Sequence, residues 1–197
     1  MISGIVLAAG TSSRLGHPKQ LLSLGGKPVL QHVLDAATRA PLDEIVVVVG
    51  HAAEEIRGAM KAPARARYVL NADFAAGQAT SLRAGLRAAH PESAAAVILL
   101  GDQPGVRNAA IEAIVRAWLG GLGPVVQASY GGRAAHPTLI ERSIWPVLDR
   151  VEADEGARSV LADHPEWHLV VEVGGDPPED IDTQEDYERA RASFGPG

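Results

Sequence analysis

Residues 2–22 decide the fold of this chain and read ISGIVLAAGTSSRLGHPKQLL. An apolar run that ends in small residues predicts a buried strand, Ile2–Ala8, followed by a tight loop. Small side chains at positions 8–13 let backbone N–H groups approach an anion closely. Arg14 has a planar fork of donors that matches phosphate oxygens, and Lys19 adds a mobile point charge. Gly10 alone would indicate only a turn, but the whole order predicts a phosphate-binding loop.

This loop differs from two common nucleotide-binding motifs. The chain contains no Gly-x4-Gly-Lys-Ser/Thr sequence, and Gly10 and Gly16 do not give the spacing Gly-x-Gly-x-x-Gly. The first absence disfavours an ordinary P-loop ATPase, and the second disfavours a dinucleotide-binding dehydrogenase.

Strand-like and helix-like runs alternate along the rest of the chain, which predicts a three-layer α/β fold with a mostly parallel sheet. The predicted strands are Ile2–Ala8, Glu44–Val49, Ala66–Leu70, Ala95–Leu100, Pro124–Ala128 and Leu169–Val173. The predicted helices are Pro28–Arg39, Ala52–Met60, Ala79–Ala89, Asn108–Leu119, Leu139–Leu148, Gly156–Ala162 and Thr183–Ala192.

The composition limits the class of protein. The chain has 197 residues, of which 46% are hydrophobic and 21% charged, as expected for one globular domain over residues 1–197. We expect no membrane partner, because the apolar runs are too short to cross a bilayer, and no signal peptide, because no basic segment precedes Ile2. The absence of cysteine excludes disulfides, so we expect a cytoplasmic protein.

The charge distribution favours an anion near the start of the chain. A net charge of −6 disfavours nucleic acid as a partner. No acidic residue precedes Asp35, whereas residues 152–188 carry 13 of the 24 acidic residues and one cation, Arg158. The first segment therefore suits phosphate, and the second suits solvent or a metal.

Asp102 follows the apolar run Ala95–Leu100, at the strand end where ligands bind in open α/β sheets. A carboxylate there is a hard oxygen ligand of the kind that Mg²⁺ uses together with substrate phosphates. A turn aspartate that caps its own backbone would show the same pattern, so both interpretations stay open on the residues alone.

Other candidate residues have ordinary structural interpretations beside the functional ones. Asp182 or Thr183 is a natural N-cap for the last helix, and Gln78 and Ser81 suit the start of a helix. His136 follows a Gly-Gly loop, where a histidine is often structural.

The motifs taken together resemble one family. Residues 7–19, with the pattern Leu-Ala-Ala-Gly-x3-Arg-x-Gly-x2-Lys, are similar to the signature of the molybdenum-cofactor nucleotidyltransferases, which share their fold with sugar-phosphate and isoprenoid-precursor nucleotidyltransferases. The resemblance continues in residues 71–82, 99–104, 156–158 and 180–183 and so extends over nearly the whole chain.

The resemblance implies a fold like that of the nucleotide-diphospho-sugar transferases, which is Rossmann-like. It also implies a nucleotide-binding half over about residues 1–105 and an acceptor-binding half over about residues 106–190. The implied site residues are Arg14 and Lys19 for catalysis, Leu7, Ala8, Ala9, Gly10, Gln78 and Ser81 for the nucleotide, Asp102 and Asp182 for Mg²⁺, and His136 and Arg158 for the acceptor. Asp180 is the alternative to Asp182 as the second metal ligand.

The implied reaction transfers a nucleoside monophosphate from an NTP to molybdopterin and releases pyrophosphate. A molybdoenzyme or its chaperone would be a transient partner that receives the product. Ala9 resembles the cytidylyl-transferring members, in contrast to guanylyl-transferring ones with a second glycine there, so we expect CTP as the donor.

Three other functions stay open on this sequence. The first is guanylyl or other nucleotidyl transfer to a different phosphorylated acceptor. The second is a pterin-related oxidoreductase on the same scaffold. The third is a carrier that delivers the cofactor without turning over NTP.

Overall fold

The computed structural model describes residues 1–12, 15–149 and 162–195. A seven-stranded sheet has the order β5-β4-β1-β6-β8-β7-β9. Its strands are β1 (Ile2–Ala8), β4 (Glu44–Val49), β5 (Ala66–Leu70), β6 (Ala95–Leu100), β7 (Val125–Tyr130), β8 (Arg133–Glu141) and β9 (His168–Glu172). A small hairpin is formed by β2 (Ser23–Leu24) and β3 (Lys27–Pro28).

Among the described residues the helices flank the sheet on both faces. They are α1 (Val29–Arg39), α2 (Ala53–Ala59), α3 (Gln78–Ala88), α4 (Asn108–Leu119), α5 (Trp145–Leu148) and α6 (Gln184–Phe194). Short 3₁₀ turns lie at Lys19–Leu21, Phe74–Ala76, Arg142–Ile144 and Pro165–Trp167.

The prediction of three layers is confirmed. Alternate residues of the central strands contribute to two hydrophobic cores, one on each face of the sheet. Val47 and Val49 of β4 join a cluster with residues of α1 and α4, whereas Val46 and Val48 join a cluster with residues of α3 and α5. Because successive side chains of a strand point to opposite faces, a continuous valine run fills both cores at once.

The mostly parallel prediction is also confirmed, with one antiparallel strand that the sequence analysis missed. β8 pairs antiparallel with both β6 and β7, and the other neighbours in the sheet are parallel. The predicted helix Leu139–Leu148 is wrong over its first part, since residues 139–141 belong to β8 and only Trp145–Leu148 are α-helical.

Pro137 explains why the sequence of β8 does not predict a strand. Proline lacks the N–H that a ladder needs and is confined to edges and bulges. The pairing with β7 passes from Gln127↔Thr138 to Ala128↔Ala135, so His136 and Pro137 are left in a bulge. The bulge keeps the rest of the strand paired.

A third, smaller core joins two distant parts of the chain. Leu24 of the β2–β3 hairpin, Val29 and Ile181 are buried together, with Tyr187 of α6 packed against them. The Tyr187 hydroxyl also donates a hydrogen bond to the Ser23 carbonyl at 2.6 Å. The end of the chain is thereby fixed beside its beginning.

None of the described helices is long and apolar enough to cross a membrane. The predicted helix 156–162 lies, except for its last residue, outside the described residues.

Candidate active site

The loop after β1 is held at its base by a buried glutamine. The Gln20 amide donates to the Ala8 carbonyl at 3.1 Å, and the Lys19 backbone N–H donates to the Ser12 hydroxyl at 3.0 Å. Ser12 has a positive φ of 52°, and Gly10 is exposed with open space around it. Gly10 is therefore accessible to a ligand, and the hydrogen bond to Ser12 fixes the backbone of Lys19 at the start of the 3₁₀ turn. Arg14 lies outside the described residues.

Asp102 lies beside this loop because β6 ends against β1. The Gly101 N–H donates to the Leu7 carbonyl at 2.8 Å. A Cβ at Gly101 would come within 2.9 Å of that oxygen and 3.0 Å of the Ala8 side chain, so only glycine permits this approach. Asp102 then projects from a rigid strand end, as predicted.

Asp182 reaches the same place from the segment before α6. The Ile181 N–H donates to the Asp102 carbonyl at 3.1 Å, and the Ile181 side chain is buried in the third core. Thr183 is the N-cap of α6, and it forms a capping box with Asp186. The ambiguity over the cap is thus resolved in favour of Thr183, and the Asp182 side chain is not needed for capping.

Lys19 contacts both aspartates at once. Its Nζ lies 2.5 Å from Asp102 Oδ2 and 2.6 Å from Asp182 Oδ1. Partial burial alone would lower the pKa of Lys19, but the charges and hydrogen bonds of Asp102, and then of Asp182, outweigh it and raise the pKa. Lys19 is therefore a protonated ammonium shared by two carboxylates.

A third carboxylate, Asp180, lies next to this pair. Its Oδ1 accepts a hydrogen bond at 2.9 Å from the amide of Gln103, which is buried. Asp180 keeps an exposed surface, but the protein around its carboxyl group partly desolvates it and raises its pKa, and the negative charge of Asp102 raises the pKa further. Gln103 directly follows Asp102 in the sequence, so this hydrogen bond links the end of β6 to the segment that carries Asp182.

The proposed nucleotide side of the site lies at the start of α3. Gln78 is the first residue of the helix and is exposed, whereas Ser81 is buried and its hydroxyl accepts from the Asn71 amide at 3.0 Å. Ala9 is buried in the same core cluster as Leu82 of α3. The loop after β1 and the start of α3 therefore border one region of the sheet edge.

Of the two predicted acceptor residues, the structure describes only His136. His136 lies in the β8 bulge, where its carbonyl accepts from the Tyr130 hydroxyl at 3.0 Å. The Gly131-Gly132 turn before it is held by Glu172, whose carboxylate accepts from both glycine N–H groups. Arg158 lies outside the described residues.

Gln20 and Gln103 are site residues that the sequence analysis did not single out. Each follows directly on a charged site residue, Lys19 or Asp102, and each is buried. The only signal in the sequence was a glutamine directly after a charged residue. This signal does not show that Gln20 bonds to Ala8 or that Gln103 bonds to Asp180.

The carboxylates suit a hard divalent cation. Asp102 Oδ2 and Asp182 Oδ1 lie within about 5 Å of each other, since both contact one nitrogen, so a small movement would let an ion of Mg²⁺ size bridge them. The described residues contain no group of three or more His, Cys, Asp or Glu side chains arranged for a metal. Mg²⁺ characteristically uses one or two carboxylates and completes its shell with water and phosphate, so the two aspartates fit it.

Comparison with known proteins identifies the family. A family model described as a MobA-like NTP transferase domain matches residues 4–168. The chain belongs to this family. The resemblance inferred from the sequence is therefore confirmed, and with it the nucleotidyltransferase superfamily.

Two curated relatives differ in how much they share with the chain. The nicotine blue oxidoreductase of Paenarthrobacter nicotinovorans is 29% identical over 198 residues, which cover 95% of each protein. The bifunctional protein GlmU of Bordetella petrii is 35% identical over 120 residues, which cover 59% of the chain and 26% of GlmU. The chain thus spans about a quarter of the length of this GlmU relative.

Solved structures share the fold over the whole chain. A homologue of Mycobacterium tuberculosis Rv0371c from Mycobacterium sp. strain JC1 has a TM-score of 0.88 at 32% identity, covering 98% of this chain and 96% of that one. The manganese complex of Rv0371c from M. tuberculosis H37Rv has a TM-score of 0.82 at 32% identity and covers 98% of both chains. A nucleotidyl transferase from Methanothermobacter thermautotrophicus, Mth528, has a TM-score of 0.82 at 26% identity, covering 98% and 97%.

Proposed function

We propose that the chain transfers CMP from CTP to molybdopterin and releases pyrophosphate, with Mg²⁺ held by Asp102 and Asp182. The observation that carries this proposal is the meeting of Lys19, Asp102 and Asp182 beside the open loop after β1. Residues that lie far apart in sequence converge there on one point at the edge of the sheet. A cation and two metal-type carboxylates next to a phosphate-binding loop suit phosphoryl transfer better than any other common chemistry.

The reaction needs no general base from the protein. The terminal phosphate of the acceptor is largely dianionic at pH 7, because its second pKa is about 6. One of its oxygens attacks the α-phosphorus of CTP in line, a new P–O bond forms, and the bond to the β-phosphate oxygen breaks. Pyrophosphate leaves with the electron pair of that bond.

The work of the protein is positioning and charge neutralisation. Lys19 and Arg14 are proposed to stabilise the departing pyrophosphate, and the N–H groups of residues 8–10 to approach the phosphates. A bound Mg²⁺ would supply further positive charge to the phosphate oxygens. The manganese complex of the Rv0371c relative supports a divalent cation in a protein of this fold.

The two halves of the chain are proposed to divide the substrates. Residues 1–105 would bind the nucleotide through Leu7, Ala8, Ala9, Gly10, Gln78 and Ser81. Residues 106–190 would supply the acceptor pocket, with His136 and Arg158 as candidates, and the second metal ligand. The product would then pass to a molybdoenzyme or its chaperone.

Transfer of the α-phosphate label tests the proposal directly. CTP labelled at the α-phosphorus, molybdopterin and Mg²⁺ should give labelled pterin dinucleotide and one pyrophosphate per transfer. The Asp102→Asn variant is the matched control, and it should lose the transfer while staying folded. Transfer that requires GTP, or a different phosphorylated acceptor, would keep nucleotidyl transfer but overturn the substrate assignment.

The oxidoreductase relative supports a second candidate function. The nicotine blue oxidoreductase aligns over 95% of both chains, which supports a pterin-related oxidoreductase on the same scaffold as this candidate. The lack of a Gly-x-Gly-x-x-Gly fingerprint weighs against a nicotinamide cofactor bound in the Rossmann manner. NAD(P)H consumption with no NTP turnover would favour this candidate over CMP transfer.

A further inference from the structure

Lys19 contacts one oxygen of each carboxylate that would hold the proposed metal. Its ammonium lies within 2.6 Å of an oxygen from each aspartate, and its side chain is 11% exposed. Two carboxylates this close repel each other unless a cation lies between them. In this structure, that cation is Lys19.

A divalent ion and the Lys19 ammonium would compete for the same two carboxylates. Asp102 and Asp182 would hold either cation, and two like charges held this close together repel each other strongly in a partly buried site. We infer that Lys19 is a built-in counter-ion, which a divalent cation displaces from Asp102 and Asp182 and so releases toward the phosphate loop. The inference rests on the proposed function only in that it assigns the metal to these two aspartates.

The local structure allows this exchange. The Lys19 backbone is fixed through the Ser12 hydroxyl and the 3₁₀ turn at Lys19–Leu21, whereas its side chain is a flexible four-carbon stem. The Asp182 side chain is 51% exposed, so a hydrated ion reaches it from solvent. The ammonium can therefore move while the loop stays in place.

This displacement would couple metal binding to the availability of the Lys19 ammonium for phosphate binding. Before the metal binds, the positive charge of Lys19 is used by the two carboxylates. After the metal binds, the ammonium lies free at the loop, where a triphosphate carries several negative charges. Lys19 thereby weakens metal binding to the free protein and becomes a phosphate ligand only in the loaded protein.

Titration with Mn²⁺ alone tests the displacement without any turnover. If the ammonium occupies the carboxylates in at least nine of ten molecules, the apparent Kd of the wild-type protein is about tenfold weaker than its intrinsic value. We expect Lys19→Met to bind Mn²⁺ at least about tenfold more tightly than the wild type, as measured by the electron paramagnetic resonance signal of free Mn²⁺. A folded Lys19→Met protein that binds Mn²⁺ no more tightly than the wild type would overturn the inference.

Lys27→Met is the matched control variant. Lys27 lies in the same basic segment and pairs with Asp35 at 2.7 Å, outside the site. Its removal takes away the same charge and should leave Mn²⁺ affinity within about twofold of wild type, because exposed pairs are largely screened. An equal gain in Lys27→Met would show that net charge, rather than displacement, is responsible, and would also overturn the inference.

A measurement on the wild-type protein covers the case in which Lys19→Met does not fold. The chain has three lysines, Lys19, Lys27 and Lys61, so ¹⁵N labelling of lysine side chains gives three ammonium signals at most. The signals are assigned by elimination with Lys27→Met and Lys61→Met. Mg²⁺ should shift the Lys19 signal saturably and leave the other two in place, whereas an unchanged Lys19 signal at saturating Mg²⁺ would contradict displacement.

The two proposals fail separately. Displacement of Lys19 by metal in a protein that transfers no CMP to any acceptor would overturn the proposed function alone. CMP transfer in a protein whose Lys19 signal ignores Mg²⁺ would overturn this inference alone.

Discussion

The two carboxylates that meet at Lys19 are held by different kinds of structure. Asp102 follows strand β6, which pairs with β1 along its whole length, and its side chain is 19% exposed. Asp182 lies in a segment without regular structure, and its side chain is 51% exposed. The position of Asp102 is a property of the sheet. The position of Asp182 depends on a few named contacts of residues 180–183, which we call the late segment.

This difference means that the two proposed metal ligands should respond differently to substitutions around them. A ligand on a strand end is held by the whole core and is difficult to move without unfolding the protein. A ligand on the late segment can be shifted by single substitutions that leave the core unchanged. Metal affinity should therefore be sensitive to loss of the contacts that hold Asp180 and Ile181, and insensitive to changes of similar size elsewhere on the surface, including the cap at Thr183.

The largest expected effect is on the two aspartates themselves. Asp102→Asn and Asp182→Asn should each lower the rate of CMP transfer on the order of 10²–10³-fold, as loss of a preorganised charge does in comparable sites. Because Thr183 is the N-cap, Asp182→Asn leaves the capping hydrogen bonds in place. An unchanged Mg²⁺ requirement in Asp182→Asn would remove this residue from the metal site, and the exposed Asp176→Asn serves as the control.

A smaller effect is expected from the strand side of the site, on the choice of base. Ala9→Gly should improve kcat/KM for GTP relative to CTP by about tenfold, since one methyl group in a pocket contributes roughly 1–3 kcal/mol. Ala9 is buried beside the α3 core, so the variant will also lose stability. Steady-state kinetics with both nucleotides and one acceptor measure the change, and a wild-type preference for GTP would refute this interpretation of Ala9.

Gln103→Leu tests the late segment by removing the amide that holds Asp180. The lost hydrogen bond should raise the Mg²⁺ concentration for half-maximal rate by about three- to tenfold, since such a bond contributes roughly 1 kcal/mol. The rate at saturating Mg²⁺ should stay within about twofold, because both ligands remain. If Gln103→Leu instead lowers the saturating rate and leaves the Mg²⁺ requirement unchanged, Gln103 does not position the metal ligand.

The smallest effect on activity is expected from the cap of α6. Hydrogen bonds, first of all from Thr183, lower the pKa of Asp186 to about 2. Since the folded-state pKa lies below the unfolded value, the stabilisation from Asp186 is complete above about pH 4 and is lost as the pH falls toward 2. Thr183→Ala should lower the free energy of unfolding at pH 6 by about 1 kcal/mol, with little change in Mg²⁺ requirement.

Urea denaturation at pH 6 and at lower pH checks the sign of this dependence. The difference in stability between the wild type and Asp186→Asn should shrink as the pH falls. A difference that grows toward low pH would contradict the lowered pKa of Asp186.

The strand side of the site was predictable from sequence, whereas most of the late segment was not. Local sequence patterns predict β1, the loop after it and the position of Asp102. A buried parallel strand and the small residues that follow it are neighbours in sequence, so a short window contains the whole signal. The contacts of Lys19 with both aspartates join residues that are far apart in sequence, and no local pattern contains them. The roles of Gln103 and Ile181 were also not predictable, because both residues act through contacts with residues far away in sequence.

β8 shows a second limit of local patterns. Its alanines and Pro137 do not favour a strand, and its apolar end resembles a helix in spacing. Pairing on both sides with β6 and β7, together with the bulge at His136 and Pro137, overrides these local preferences.

The central claim is that the strand end and the late segment hold one ion together. A double-mutant cycle of Mn²⁺ binding tests it most directly, with the wild type, Asp102→Asn, Asp182→Asn and the double variant titrated under the same conditions. Because ligands of one ion act as a unit, the double variant should bind Mn²⁺ about as weakly as either single variant. Losses in binding free energy that add up in the double variant would contradict the claim, since they would mean that the two aspartates act independently of each other.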